Sequence, residues 1–150
     1  MLNEKLKKRL ESMTKMSRGL RNNNPGNIRR GGSRFKGEKA ESSDVAFRQF
    51  ESIEWGYRAM FVLLNNYAKK YGCNTLRKII NRYAPPVENH TESYIRSVAN
   101  ATHLQPDEQI STTDGPTMTA VVAAMSEVEN GVKADMKAIY RGWELFVADI

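Results

Sequence analysis

One acidic residue in this chain occupies a position suited to proton transfer. Glu129 follows a run of apolar residues with helical spacing and precedes Asn130-Gly131, where a helix is expected to end. A carboxyl there is half-buried at the rim of the adjoining cleft, and the helix C-terminus disfavours its charged form. Glu129 is therefore predicted to have the raised pKa that a general acid requires. Alternatively, it is an ordinary surface residue of the last helical turn.

Other glutamates compete with Glu129 for this role. Glu127 lies on the same predicted helix, and Glu51 and Glu54 lie near the start of the longest one. The sequence has no GK[ST] phosphate loop, HExxH or GxSxG motif, and its two histidines lie in polar segments. These features disfavour metal-dependent hydrolysis and Ser-His catalysis, so no metal and no cofactor is predicted. Carboxylate chemistry such as glycoside cleavage is the main enzymatic option.

A second candidate region is the segment Arg18–Arg29, which is rich in turn-forming residues. Pro25 fixes φ and Gly26 permits a positive φ, while asparagine tolerates left-handed backbone, so a compact, rigid loop is predicted. The side-chain amides could bind a sugar, or they could merely cap and turn the chain. The asparagines concerned are Asn22, Asn23, Asn24 and Asn27.

The elements that must position these residues are mainly helical. Residues 28–50 carry glycines and an alternation around Val45 and Phe47, which predicts a small β-hairpin or irregular β-region. The stripe Trp55, Ala59, Leu63, Tyr67 and Tyr71 marks the strongest helix, and we expect it to pack in the core. About five or six helices with this β-element predict a predominantly α-helical α+β fold. The predicted helices are 1–13, 52–72, 75–83, a helix from 91, 118–130 and a helix after 135.

Length and charge suggest one main domain at 18–150, preceded by a basic amphipathic helix at 1–17. Residues 1–39 hold 12 Lys and Arg against 3 Asp and Glu, whereas residues 40–150 hold 11 against 14. A basic N-terminal third favours a polyanionic partner, which could be nucleic acid, an acidic cell-wall polymer or anionic lipid. No signal or transmembrane segment is recognised, and the single cysteine, Cys73, is expected to be a small buried hydrophobe.

Four motifs resemble a family of small phage and prophage proteins, often called phage structural protein P5-like. The resemblance runs from about Arg18 to the C-terminus, and the first and third motifs are quite specific. The motifs are Arg18–Arg29, Ala46–Phe50, Asn81–Asn89 and Glu129–Gly131.

A weaker resemblance links the chain to cell-wall glucosaminidases of the lysozyme superfamily. It rests on Asn23, Asn24, Gly26 and Ile28 as the cleft loop, followed by Phe47–Ser52, Leu63-Leu64, Arg82–Ala84 and Tyr94-Ile95. It implies a lysozyme-like domain, in which the catalytic glutamate closes a helix directly before the loop.

In this chain the place before the loop offers Glu11, on the basic helix. The helix that ends at Glu129 has the expected character but lies at the other end of the sequence. A circular permutation would reconcile the two, because domain termini are often close in space. This hypothesis requires Glu129 to lie beside the Asn22–Asn27 loop, and Glu11 is the alternative acid.

The sequence thus predicts a peptidoglycan-cleaving glycoside hydrolase or lytic transglycosylase of phage or prophage origin. It is expected to be a monomer without cofactors, cytoplasmic until released or virion-associated, and to act on glycan strands of the cell wall. The alternative is an inactive virion structural protein with a lysozyme-like fold and virion-protein partners. A basic nucleic-acid-binding module is the least favoured hypothesis. Glu129 is the predicted acid/base, and the predicted sugar-binding residues are Asn22, Asn23, Asn24, Asn27, Arg29, Tyr83 and Tyr94.

Overall fold

Seven α-helices make up the regular structure of the residues described by the computed structural model, which are 3–87 and 89–150. For residues 10–15 the backbone alone is described. The helices are α1 (Glu4–Lys15), α2 (Arg18–Arg21), α3 (Ile53–Tyr71), α4 (Leu76–Tyr83), α5 (Thr91–Thr102), α6 (Gly115–Asn130) and α7 (Met136–Val147). The predominantly helical prediction is confirmed, and the additional helix is the single turn α2, inside the segment predicted as a loop.

Helix ends follow from local sequence. The side chains of Thr75, Asp114 and Asp135 accept hydrogen bonds from backbone N–H groups in the first turns of α4, α6 and α7. At the other ends, α3 stops at Gly72 and α6 at Gly131, both in the left-handed conformation that glycine adopts without strain. These capping residues therefore place the two long helices that border the candidate site.

Of the two forms predicted for residues 28–50, a β-hairpin or an irregular β-region, the described residues do not show the hairpin. In its place stand two isolated antiparallel bridges, Arg29 to Phe47 and Glu38 to Phe50. Side chains form hydrogen bonds with backbone N–H and C=O groups that would otherwise pair with a neighbouring strand. The Asp44 carboxylate accepts from two backbone N–H groups, and Arg48 donates to three backbone carbonyls. With these groups already satisfied, the segment folds as an irregular loop.

The core lies where α3 packs on α7 and where α5 packs on α6. Phe61 of α3 meets Trp143 edge-on, with ring centroids 5.0 Å apart, and Phe146 lies 6.1 Å from Phe61. Cys73 is buried, as predicted. Residues 4–9 of α1 are exposed, and no described helix is both long and apolar enough to cross a membrane.

The aromatic stripe on α3 is not all core, contrary to expectation. Ala59 is buried, Leu63 and Tyr67 are half-buried, and Tyr71 is 56% exposed. Each i+4 step advances about 40° around a helix, so four steps turn the stripe by about 160° and carry its end away from the core. The large apolar side chains that α3 buries completely are Tyr57, Met60, Phe61 and Leu64.

Candidate active-site cleft

An open cleft of about 450 Å³ lies between the Asn-rich loop, the C-terminal half of α3, the end of α4 and the end of α6. Four of its lining residues matter most for its chemistry: Asn27, Arg29, Tyr83 and Glu129. These four are also among the eight site residues predicted from sequence.

Glu129 lies in the last turn of α6 and lines the cleft. Its Oε1 accepts a hydrogen bond of 2.9 Å from Nδ2 of Asn27, 102 residues away in the chain. The two segments that the permutation hypothesis requires to meet are therefore in contact. That contact is a condition for Glu129 to act as an acid at this loop, and its catalytic role stays a prediction.

Burial raises the pKa of Glu129, while the Asn27 amide and the nearby Tyr94 hydroxyl oppose the rise. The direction agrees with the sequence prediction, which named partial burial and the helix C-terminus as causes, and burial is the largest cause in the structure. Among the described residues that line the cleft, Glu129 is the sole carboxylate. The competing Glu127 and Glu51 are exposed, and neither they nor Glu54 line the cleft. The Glu11 side chain lies outside the described part.

Of the two predicted sugar-binding tyrosines, Tyr83 lines the cleft and Tyr94 does not. Tyr83 lines the cleft, and its hydroxyl donates to the backbone carbonyl of Gly26. Tyr94 is 7% exposed and does not line the cleft, so it lies behind the wall rather than in reach of a sugar ring. Its buried hydroxyl lies near Glu129, without a hydrogen bond of ordinary geometry to any described residue. Burial, and then the neighbouring groups that include Glu129, raise the pKa of both phenols.

Gly26 acts through its lack of a side chain rather than through a positive φ. A Cβ there would collide with the Tyr83 hydroxyl and approach Met60 to 2.9 Å. The left-handed conformations in the loop fall on Asn23, with φ 52°, and on Asn27, with φ 49°. Asparagine tolerates this region better than most residues do, so the predicted tight loop is correct but its strained positions are different.

The first three asparagines serve the fold rather than the cleft. Asn22 donates to Asp44 and accepts from Gln49, and Asn23 donates to the carbonyl of Phe50. Asn24 is fully buried, donates to two backbone carbonyls and accepts from the backbone N–H of Ile28. Of the four predicted amides, the structure brings Asn27 alone to the described cleft.

Asn130 holds the loop against α6 and was missed as a positioning residue. Its Oδ1 accepts from the Ser17 hydroxyl at 2.7 Å, and its Nδ2 donates to the carbonyls of Pro25 and Ser126 at 2.7 and 2.9 Å. The sequence signal was the Asn-Gly pair at the helix end, which we interpreted as a stop signal alone. This network fixes the position of the neighbouring Glu129 relative to the loop.

Two arginines line the cleft. Arg29 lines it, with its guanidinium 5.3 Å from the centroid of the Phe47 ring. Arg48 also lines it but is buried, and it binds Glu38 at 2.5 Å. Within residues 3–87 and 89–150, no group of three or more His, Cys, Asp or Glu side chains is placed to hold a metal ion.

Comparison with known proteins identifies the family. No protein-family model matches the chain. A curated relative, protein P5 of Pseudoalteromonas phage PM2, is 42% identical over 118 residues, which cover 77% of this chain and 72% of the relative. The chain belongs to the phage protein P5 family. Membership confirms the phage resemblance carried by the sequence motifs. The likeness of this P5-family chain to lysozyme-superfamily glucosaminidases remains a prediction.

Proposed function

We propose that this P5-family protein is a component of a phage particle and that its cleft cleaves glycan strands of peptidoglycan. Family membership supports the first part. The second part rests on one observation, the half-buried Glu129 carboxyl at the cleft, oriented by the Asn27 amide of the Asn-rich loop. A buried carboxyl beside a polar loop has the properties of a general acid for glycoside cleavage.

The proposed reaction begins with proton transfer. Protonated Glu129 donates its proton to the glycosidic oxygen as the bond from that oxygen to the anomeric carbon breaks, which leaves a carboxylate and an oxocarbenium-like sugar. The Asn27 N–H already points at Oε1 and stabilises the new negative charge. The carboxylate then takes a proton from the attacking hydroxyl group. That hydroxyl belongs to water in a hydrolase and to the sugar itself in a transglycosylase.

The second candidate is a structural phage protein without catalysis. Family membership favours it, since that membership points to a phage protein and not to an activity. The lack of a second carboxylate among the described cleft residues also agrees with it, because most glycoside hydrolases use two. In that case the Asn27–Glu129 hydrogen bond ties the loop to α6, and virion proteins are the partners.

Clearing of purified peptidoglycan separates the two candidates. The arms are the wild type, Glu129→Gln and Glu127→Gln, the last being an exposed glutamate on the same helix. We expect wild type and Glu127→Gln to clear alike and Glu129→Gln to be slower by about 10³-fold. Mass analysis of the released fragments distinguishes reducing ends from anhydro ends. No clearing by a correctly folded wild type would remove the glycosidase proposal and leave the structural role.

A further inference from the structure

A stack of three side chains continues the wall of the cleft beyond the cleft itself. The guanidinium carbon of Arg82 lies 3.4 Å from the centroid of the Tyr71 ring and 5.4 Å from that of Tyr67. Tyr67 lines the cleft, whereas Tyr71 lies one turn further along α3, about 6 Å away along the axis. More than half of Tyr71 remains exposed. Arg82 therefore joins the cleft wall to an accessible aromatic ring.

No acidic side chain of the described residues neutralises the charge of Arg82. Arg82 is exposed and forms no ion pair with an acidic side chain of residues 3–87 or 89–150. Arg77, on the same helix, differs, because its guanidinium pairs with Glu92 and Asp107, each at 2.9 Å. A guanidinium held flat against an aromatic ring keeps its N–H edge free to bind a carboxylate through two parallel hydrogen bonds.

We propose that Arg82 and Tyr71 form a subsite for a sugar unit that carries a carboxylate, next to the cleft that holds Glu129. The Tyr71 ring packs against the C–H face of the sugar, and the Arg82 guanidinium binds the carboxylate. Two lysines in the last turn of α3, Lys69 and Lys70, add positive charge beside the stack. The proposal rests on the proposed function in that it assumes a glycan in the cleft. It narrows the substrate to strands whose muramic acid carries a free carboxylate rather than a peptide.

Binding of two defined oligosaccharides tests the subsite. One is a tetrasaccharide of alternating N-acetylglucosamine and N-acetylmuramic acid, which carries carboxylates, and the other is N-acetylchitotetraose, which carries none. Affinities are measured by calorimetry on the full chain with Glu129→Gln, so that neither probe is cleaved. Arg82→Gln and Tyr71→Ala are compared with Arg96→Gln, an exposed arginine of α5 outside the cleft.

We expect Arg82→Gln to weaken the carboxylate-bearing tetrasaccharide about tenfold, the loss typical of a charge-assisted hydrogen-bonded pair. Its affinity for chitotetraose should stay unchanged. Tyr71→Ala should weaken both probes, because both present sugar rings to the aromatic face, and Arg96→Gln should weaken neither. Arg82→Lys should recover part of the loss, since an ammonium keeps the charge without the planar fork.

Other outcomes overturn the subsite. They are an equal effect of Arg82→Gln on both probes, no effect on either, or no binding of either probe to the chain with intact Arg82. Cleavage of the tetrasaccharide by wild type, together with unchanged affinity in Arg82→Gln, would remove the subsite and keep the glycosidase. Arg82-dependent binding without cleavage by wild type would support the subsite and remove the glycosidase.

Discussion

Two carboxylates contact the Asn-rich loop, and their environments are opposite. Asp44 accepts from two nitrogens of Arg18 at 2.6 and 2.7 Å, from Asn22 at 3.0 Å and from two backbone N–H groups. The guanidinium of Arg18 in particular holds the pKa of Asp44 well below its usual range. Glu129 accepts from Asn27 at 2.9 Å, and burial raises its pKa.

The difference separates a structural carboxylate from one suited to chemistry. Both oxygens of Asp44 accept hydrogen bonds, so its charged form is stabilised, and these bonds hold the loop in place. The Asn27 amide and the nearby Tyr94 hydroxyl do not offset the burial of Glu129, so its pKa stays raised. A carboxyl left partly satisfied in this way can hold a proton and release it.

The largest loss of stability should come from replacing Asn24, whose side-chain hydrogen bonds are all made inside the fold. Asn24→Ala removes three hydrogen bonds at a fully buried position and leaves the backbone groups of Ile28 and Arg48 without those partners. We expect the free energy of unfolding to fall by about 3 kcal/mol, measured by urea denaturation. Asn100→Ala, at an exposed position of α5, is the control and should change it by less than about 0.5 kcal/mol. Equal losses in the two variants would contradict the structural role of Asn24.

Asp44→Asn should lower thermal stability at neutral pH, because an amide cannot accept the paired N–H groups of Arg18 as a carboxylate does. The folded-state pKa of Asp44 is depressed, so its contribution is complete above the unfolded pKa of about 3.9. It is lost as the pH falls towards the folded pKa. The melting temperatures of variant and wild type should therefore converge in acid. A gap that stays constant from pH 7 to pH 2 would show that the charge of Asp44 contributes nothing.

Glu129→Gln should stabilise the protein, in contrast to Asp44→Asn. We expect it to raise the free energy of unfolding at pH 7 by about 1 kcal/mol. The folded-state pKa of Glu129 is raised, so the folded protein disfavours the ionised form. This cost is absent below the unfolded pKa of about 4.3 and grows as the pH rises through the folded pKa. Variant and wild type should again converge in acid, which thermal unfolding between pH 4 and pH 8 can check. A Glu129→Gln variant that is less stable than wild type at neutral pH would mean that the charge of Glu129 is stabilised in the fold.

Asn27→Gly should produce the smallest effect, confined to the proton equilibrium of Glu129. Glycine accepts the positive φ of position 27 without strain, so the loop should keep its course while the N–H donor to Oε1 is removed. Because that donor stabilises the carboxylate, the pKa of Glu129 should rise further, as followed by the pH titration of its side-chain carboxyl in carbon NMR spectra. An unchanged or lower pKa would show that the Asn27 amide does not stabilise the charged form.

Local signals in the sequence were sufficient for the helices and for the main acid candidate. Thr75, Asp135 and Gly131 cap their helices within one turn, and the helix ends predicted near residues 75, 135 and 130 hold in the structure. The raised pKa of Glu129 was also predictable, because an apolar run followed by a helix stop implies partial burial at a helix end. The β-hairpin was predicted in error because the side chains of Arg48 and Asp44 bind backbone groups that a hairpin would pair with each other. Strand propensity carries no information on such side-chain contacts.

The sequence by itself determined the helical pattern, the tight turn at the Asn-rich loop and the family to which the chain belongs, since all three depend on residue types at short spacing. The tertiary structure alone decided which asparagine reaches Glu129 and which asparagines are consumed by Asp44 and the backbone. It also decided that Tyr94 is buried whereas Tyr71 faces solvent beside Arg82. The physical reason is that such contacts join residues far apart in the chain, and their partners are set by how the helices pack.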